Sequence, residues 1–353
     1  MSPPHTALVS DDLTGALDSA VPFARAGWRT VVATGLPALH RALVAGADVV
    51  AVSLNSREIN VAEATARAQT AVAALSEVPV LFKKIDSRMK GHIRAEALEL
   101  ATTRGLKRIV VCPAIPELGR HVVDGHVTGH GIAIPIPVAF SSHGQIAIEC
   151  PDARTDADLD RIIAHADGAL AVGARGLAAA MARRSGAAGT RPLPLVPPRL
   201  PITFIIGSRD PVTRIQVDRL RAAYSSAQWI GAADGVLADV PALADLVIVQ
   251  LVDGGGARDG ASVSVRFATD LAPRLSTSHR TLFLTGGETA AACLDAMGIG
   301  VLQVLGEVQP GLPVSLPLDF PDAPHIVTKS GGFGEPGCLA DIVRVATNQS
   351  RAI

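Results

Sequence analysis

Two adjacent carboxylates, Asp11 and Asp12, stand in the run Ser10-Asp11-Asp12-Leu13-Thr14-Gly15. The run follows a short apolar stretch, Thr6–Val9, and opens an apolar-periodic segment, Ala16–Ala26. Paired acidic side chains at such a strand-to-helix junction can hold Mg²⁺, accept a proton or grip sugar hydroxyls. The plain alternative is a helix N-cap. Only one of the two carboxylates can serve as that cap, so a cap alone does not account for the pair.

The stretch Lys83–His92 is the densest in chemistry. It carries Lys83, Lys84, Asp86, Ser87, Arg88, Lys90, Gly91 and His92 within ten positions. Cations in that number suit an anionic ligand, a carboxylate or a phosphate, and Arg can bind it in a fork. Asp86 among them stays charged and can accept a hydrogen bond from a substrate hydroxyl. Gly91 marks a close backbone approach. Lys84 reads equally as a catalytic cation and as the ion-pair partner of a neighbouring Asp. Downstream, Asp124-Gly125 is a hairpin signal. His121, His126 and His130 lack a Cys or second acidic ligand at metal spacing, which argues against zinc. His126 is better read as a hydrogen-bond donor to substrate.

The second half carries small-residue turns after apolar runs: Gly207-Ser208, Gly286-Gly287-Glu288-Thr289 and Lys329–Gly334. Glycine lets backbone approach a polyphosphate, and a following helix supplies N–H donors. None of the three is a Gly-x-x-x-x-Gly-Lys-Ser/Thr loop, and no Gly-x-Gly-x-x-Gly follows a strand.

The elements that must position these residues are short. Thr30–Ala33, Asp48–Val52, Val80–Phe82 and Arg108–Val111 join Thr6–Val9 as strand-like runs, with helical stretches at Ala16–Ala26, Val61–Leu75 and Ile93–Thr103. In the second half Ile202–Ile206, Leu246–Gln250, Thr281–Leu284 and Ile326–Thr328 read as strands, Pro211 opens a helix, and Ala290–Met297 is another. Alternation of this kind predicts an α/β protein of two domains, each built on a mostly parallel sheet flanked by helices. The Pro-rich run Arg191–Pro201 is a stiff linker. It divides the chain into two domains, 1–190 and 191–353.

Asp11-Asp12-Leu13-Thr14-Gly15, Lys84-Ile85-Asp86-Ser87, Gly207-Ser208, Gly286-Gly287-Glu288-Thr289 and Lys329-Ser330-Gly331 occur in the order seen in the four-carbon acid sugar kinase family. The chain resembles that family, which includes threonate, erythronate and 3-oxo-tetronate kinases, over nearly its whole length. The resemblance implies an ATP-dependent kinase, with Mg²⁺, that phosphorylates the C4 hydroxyl of a sugar acid, with 1–190 as the sugar-acid-binding domain and 191–353 as the nucleotide-binding domain. Its expected catalytic residues are Asp12, Asp86 and Lys84, with Asp12 or Asp86 taking the hydroxyl proton. Arg57, Arg88 and Lys90 are expected on the substrate carboxylate, Asp11 on its hydroxyls, and Ser87 and His126 beside them. Ser208, Gly286, Gly287, Glu288, Thr289, Gly331 and Gly332 are expected on ATP. The chain departs from the family at Gly332, usually Asn. It departs also in Asp86-Ser87-Arg88-Met89-Lys90-Gly91-His92, usually Asp-Ser-Thr-Leu-Arg-Gly-Asn. The second change bears on the substrate more than on the reaction.

Composition narrows the classes. The chain has 353 residues, room for two domains, and a formal charge of −1, which is no nucleic-acid signature. Cys112, Cys150, Cys293 and Cys338 are scattered, as in a reducing compartment. No leader-like N-terminus or membrane-length apolar run is present, so a cytoplasmic enzyme is expected. Its partners are a sugar acid and ATP, with a homodimer left open. Two rivals remain. One is a phosphohydrolase built on Asp11, for which the adjacent carboxylates are wrongly spaced. The other is a catalytically inactive sugar-acid sensor.

Overall fold

β-Branched and apolar runs make the strands in the first part of the chain. β1 (Thr6–Ser10), β2 (Thr30–Ala33), β3 (Val49–Ser53), β4 (Val80–Lys84) and β5 (Arg108–Cys112) alternate with α1 (Leu13–Arg25), α2 (Leu36–Leu43), α3 (Val61–Ala74) and α4 (Ile93–Thr103). The computed structural model describes residues 3–138, 140–186, 195–237, 244–255, 259–275, 280–320 and 322–350. The chain divides into two compact units, Met1–Leu193 and Pro194–Ile353. The expected junction at 190/191 lies outside the described residues, as do Pro192 and Pro194.

In the first unit three further strands, β6 (Arg120–Val123), β7 (His126–Gly129) and β8 (Ile136–Pro137), form a small antiparallel sheet. β9 (Ala147–Glu149), α5 (Asp156–His165), β10 (Leu170–Gly173) and α6 (Arg175–Ser185) complete it. The main sheet runs β2-β3-β1-β4-β10-β5-β9, every pairing parallel. Its central strands are buried throughout because helices cover both faces. The register sets Ser10 of β1 beside Ser53 of β3 and Lys84 of β4. From β1 the chain crosses through α1 toward β2, and from β4 it crosses through α4 the other way. Right-handed crossovers then put α1 and α4 on opposite faces, with α1 packed on α6 and α3 on α4. A crevice opens between the carboxyl ends of β1 and β4, where ligands of such sheets bind.

The second unit contains β11 (Ile202–Ile206), α7 (Pro211–Ala223), β12 (Gln228–Ala233), β13 (Leu246–Val252), α8 (Gly260–Leu271), β14 (Thr281–Thr285), α9 (Gly287–Ala296), β15 (Val301–Gln309), β16 (Leu312–Pro317), β17 (His325–Lys329) and α10 (Cys338–Ser350). The order is β12-β13-β11-β14-β17-β16-β15, with β15 and β16 antiparallel additions to a parallel sheet. Phe204 and Phe283, ring centroids 5.1 Å apart, pack at the centre of its core. The chain leaves β11 toward β12 and leaves β14 toward β15, so the switch-point crevice here lies between β11 and β14. Among the described residues no helix is long and apolar enough to cross a membrane.

Candidate active site

Asp12 is the N-cap of α1. Its Oδ1 accepts from the Gly15 N–H at 3.0 Å and its Oδ2 from the Thr14 hydroxyl at 2.7 Å. Asp11 is therefore released from capping. It is 2% exposed, its Oδ2 accepts from Arg57 Nε at 2.7 Å, and its Oδ1 is buried with no hydrogen-bond partner. Burial alone would raise the Asp11 carboxyl, but Arg57, Lys83 and Lys84 outweigh it and hold it below the ordinary value. Arg57 also reaches Asp12 Oδ1 at 3.0 Å and stands 3.8 Å from Asp86 Oδ2. The three carboxylates share one guanidinium, which is thereby turned away from the carboxylate-binding role expected for it.

Lys83 and Lys84 are not loop residues, as the sequence suggested, but the last two residues of β4. Successive side chains on a strand point to opposite faces. Lys83, fully buried, pairs with the equally buried Glu96 of α4 at 2.5 Å, and the Ser56 hydroxyl donates to the same carboxylate. Lys84 faces α1, and its ammonium donates to the Ile85 carbonyl at 2.9 Å. Among the described residues it has no carboxylate within ion-pair distance. A Cβ on Gly15 would stand 2.3 Å from Asp12 Oδ1 and 2.7 Å from Lys84 Nζ. The first turn of α1 thus requires glycine for these two groups to approach.

The loop after β4 folds over this cluster. Asp86 Oδ1 accepts from the Arg88 N–H at 2.7 Å, and Gly91, at φ +89°, would bring a Cβ within 3.1 Å of Asp11 Oδ2. The close approach expected at Gly91 is present. The Ser87 hydroxyl accepts from Arg120 of β6, and Arg88 reaches Gly131, just after β7. Lys90 is exposed. His126 is exposed too, its ring hydrogen-bonded to the Asp124 carbonyl at 2.7 Å. It pairs with Val123, at the opposite end of the β6–β7 ladder from Arg120. Among the described residues, neither Lys90 nor His126 is brought to the cluster by a hydrogen bond or ion pair.

In the second unit three turns converge on Ser208. A Cβ on Gly286, at φ +90°, would lie 3.1 Å from the Ser208 nitrogen, and one on Gly331 2.5 Å from the Ser208 hydroxyl. Gly286 is the N-cap of α9 and supplies no side-chain bond to its first turn, and a helix N-terminus of this kind suits a phosphate. Thr289 is buried, its hydroxyl 3.3 Å from that of Ser264 and packed against Gly207. It ties α9 to the Gly207 turn after β11 and to α8, and Glu288 is exposed. Lys329, the last residue of β17, donates to Thr213 Oγ1 and to the carbonyls of Ser330, Gly331 and Phe333 within 3.2 Å. Gln216 donates to the carbonyls of Phe333, Gly334 and Glu335. The loop carrying Gly331 and Gly332 has its carbonyls tied inward by α7 and Lys329. Burial pulls Lys329 down to about 8.

The cradle of glycines and the uncapped helix end fit the phosphates of ATP. Among the described residues no group of three or more His, Cys, Asp or Glu has the arrangement of a metal cage. Mg²⁺ bound with nucleotide keeps several waters and needs only one or two carboxylates beside phosphate oxygens. Asp210, which caps α7 beside Ser208, has the right chemistry for one of them.

Residues 6–143 match a family model described as a sugar-binding N-terminal domain, and residues 252–339 one described as a nucleotide-binding C-terminal domain. A D-threonate kinase of Bordetella bronchiseptica is 31% identical, over 96% of both chains. The chain belongs to the four-carbon acid sugar kinase family. It is a sugar-acid kinase. A 3-oxo-tetronate kinase of Cupriavidus necator is 27% identical over 97% of both chains. A Haemophilus influenzae structure, 20% identical over 96% of this chain and all of that one, superposes with a TM-score of 0.66 and shares the fold. For this kinase, Glu96, Thr213 and Gln216 are residues that the sequence reading did not place at either site. Adjacent lysines ending a strand were the one available signal, since alternation sends them to opposite faces.

Proposed function

We propose that this kinase transfers the γ-phosphoryl group of ATP to the C4 hydroxyl of a four-carbon sugar acid: threonate, erythronate or 3-oxo-tetronate. The observation that carries the reading is the cluster of Asp11, Asp12 and Asp86 around Arg57 at the β1/β4 switch point, in the unit matched by the sugar-binding description. Asp11, charged and with one oxygen unpartnered, accepts hydrogen bonds from substrate hydroxyls. Asp12 has both oxygens engaged by the helix it caps and by Arg57. Among the described residues Asp86 Oδ2 has only Arg57 as an ion-pair partner, at 3.8 Å, which leaves it to act as the proton acceptor. Lys84 brings positive charge to the same edge, and Arg88 contributes a cation for the acid group.

In the second unit Ser208, the α9 N-terminus and the Gly331-Gly332 turn hold the phosphates. Bound ATP with Mg²⁺ supplies the phosphoryl group and neutralises its charge. ADP release measured across threonates, erythronates and 3-oxo-tetronates tests the reading. Release with at least one of these acids and none with their phosphates is expected. Phosphate release from the phosphorylated acids instead would overturn it.

A further inference from the structure

We infer that Arg120, on the small antiparallel sheet β6–β7–β8, is the residue that fixes the carboxylate of the substrate and so selects acids over uncharged sugars. The inference rests on the sugar-acid reading above, and adds to it a specificity residue.

Arg120 is 3% exposed, yet among the described residues no carboxylate lies within ion-pair distance of it. A buried cation is normally paired, because desolvation is costly. Its Nη1 donates to the Ser87 hydroxyl at 2.5 Å, and its Nε and Nη2 donate to the His130 carbonyl at 3.3 and 3.1 Å. A guanidinium has five N–H groups, so one remains on each terminal nitrogen. Two such donors match the two oxygens of a carboxylate.

A second cation is aimed at the same place. The point where a Cβ of Gly131 would stand is 3.0 Å from Arg88 Nη2 and 3.4 Å from Arg120 Nη2. Burial, then the Arg88 charge, pull Arg120 below its ordinary value, with Asp86 opposing them. Ser87 comes from the loop that also supplies Asp86, so Arg120 is referenced to the reacting end of the site. Ser87 acts here as a positioning residue for Arg120.

Calorimetry on the full chain without nucleotide tests this, using D-threonate and D-erythronate against D-threitol and erythritol, which lack the carboxylate. Wild type should bind an acid more tightly than its matched tetritol. Arg120→Met should weaken acid binding tenfold or more and leave tetritol binding within about twofold. Arg120→Lys keeps the charge, loses the fork and should fall between. If Arg120→Met does not fold, Arg120→Lys and Ser87→Ala carry the test, with the same selective loss expected. Equal losses for acids and tetritols would show a purely structural arginine and overturn the inference. Unchanged acid binding, or wild type that prefers no acid, would overturn it too. ADP release is scored separately. Acid binding through Arg120 without ADP release keeps this inference and overturns the kinase reading. ADP release by Arg120→Lys at unchanged acid KM does the reverse.

Discussion

Asp11 is a residue on which burial and charge pull in opposite directions, and charge wins. Its carboxyl titrates below the ordinary 3.8, so the folded protein binds fewer protons here than the unfolded chain. The stability it contributes is fully present above pH 3.8 and is lost as pH falls through the lower folded value. Asp11→Asn should be less stable than wild type at neutral pH, since Arg57 and Lys83 lose a counter-charge. That gap should shrink below pH 3.8, as denaturant unfolding at several pH values would show. A gap that widens on acidification would mean the carboxyl is not held charged. Asp12 and Asp86 divide differently. Asp86→Asn should lower kcat by ~10²–10⁴-fold, the usual loss for a general base. Asp12→Asn keeps the cap and should cost less, with little change in Tm. If the two losses are reversed, the proton goes to Asp12.

Helix starts are the elements that organise both sites. At α1, Gly15 leaves room for the Asp12 carboxylate and the Lys84 ammonium. Alanine there is favoured by helix propensity by about 1 kcal/mol, so stability alone would predict a gain. The Cβ would stand 2.3 Å from Asp12 Oδ1, however, and the cluster must shift. Gly15→Ala should lower kcat/KM by about 10²-fold, the scale of a 1 Å misplacement, with helical content by circular dichroism unchanged. At α9, Gly286 adopts φ +90°, which a β-branched residue resists. Gly286→Val should weaken ATP binding at least tenfold and leave acid binding alone. Unaltered nucleotide affinity in a folded variant would remove the phosphate site from this turn.

These starts were legible in the sequence because Asp, Gly and Pro mark them locally, and the strands before them carry unbroken apolar runs. β10 was not, since Leu170–Gly173 is only four residues long and its place between β4 and β5 depends on long-range pairing. β12, with Gly231 and exposed positions, and the antiparallel pair β15–β16 likewise carry no clear strand pattern. Glu96 was invisible for the same reason. Nothing beside it or Arg120 in the chain shows that one meets Lys83 and the other Ser87.

At the scale of the whole molecule, each unit places its polar groups at one switch point, carboxylates and cations in the first and glycine turns in the second. The division of labour predicts separable effects. Arg88→Lys should raise the KM of the acid and not that of ATP, and Gly286→Val should do the opposite. The central claim is phosphoryl transfer to a terminal hydroxyl, and phosphorus NMR of the product tests it most directly. With ATP, Mg²⁺ and D-threonate, D-erythronate and the 3-oxo-tetronates in turn, at least one acid should yield a single phosphomonoester. Its phosphorus should couple to the protons on C4. A phosphate on any other carbon, an acyl phosphate, or no new ester with any of the acids would contradict the account.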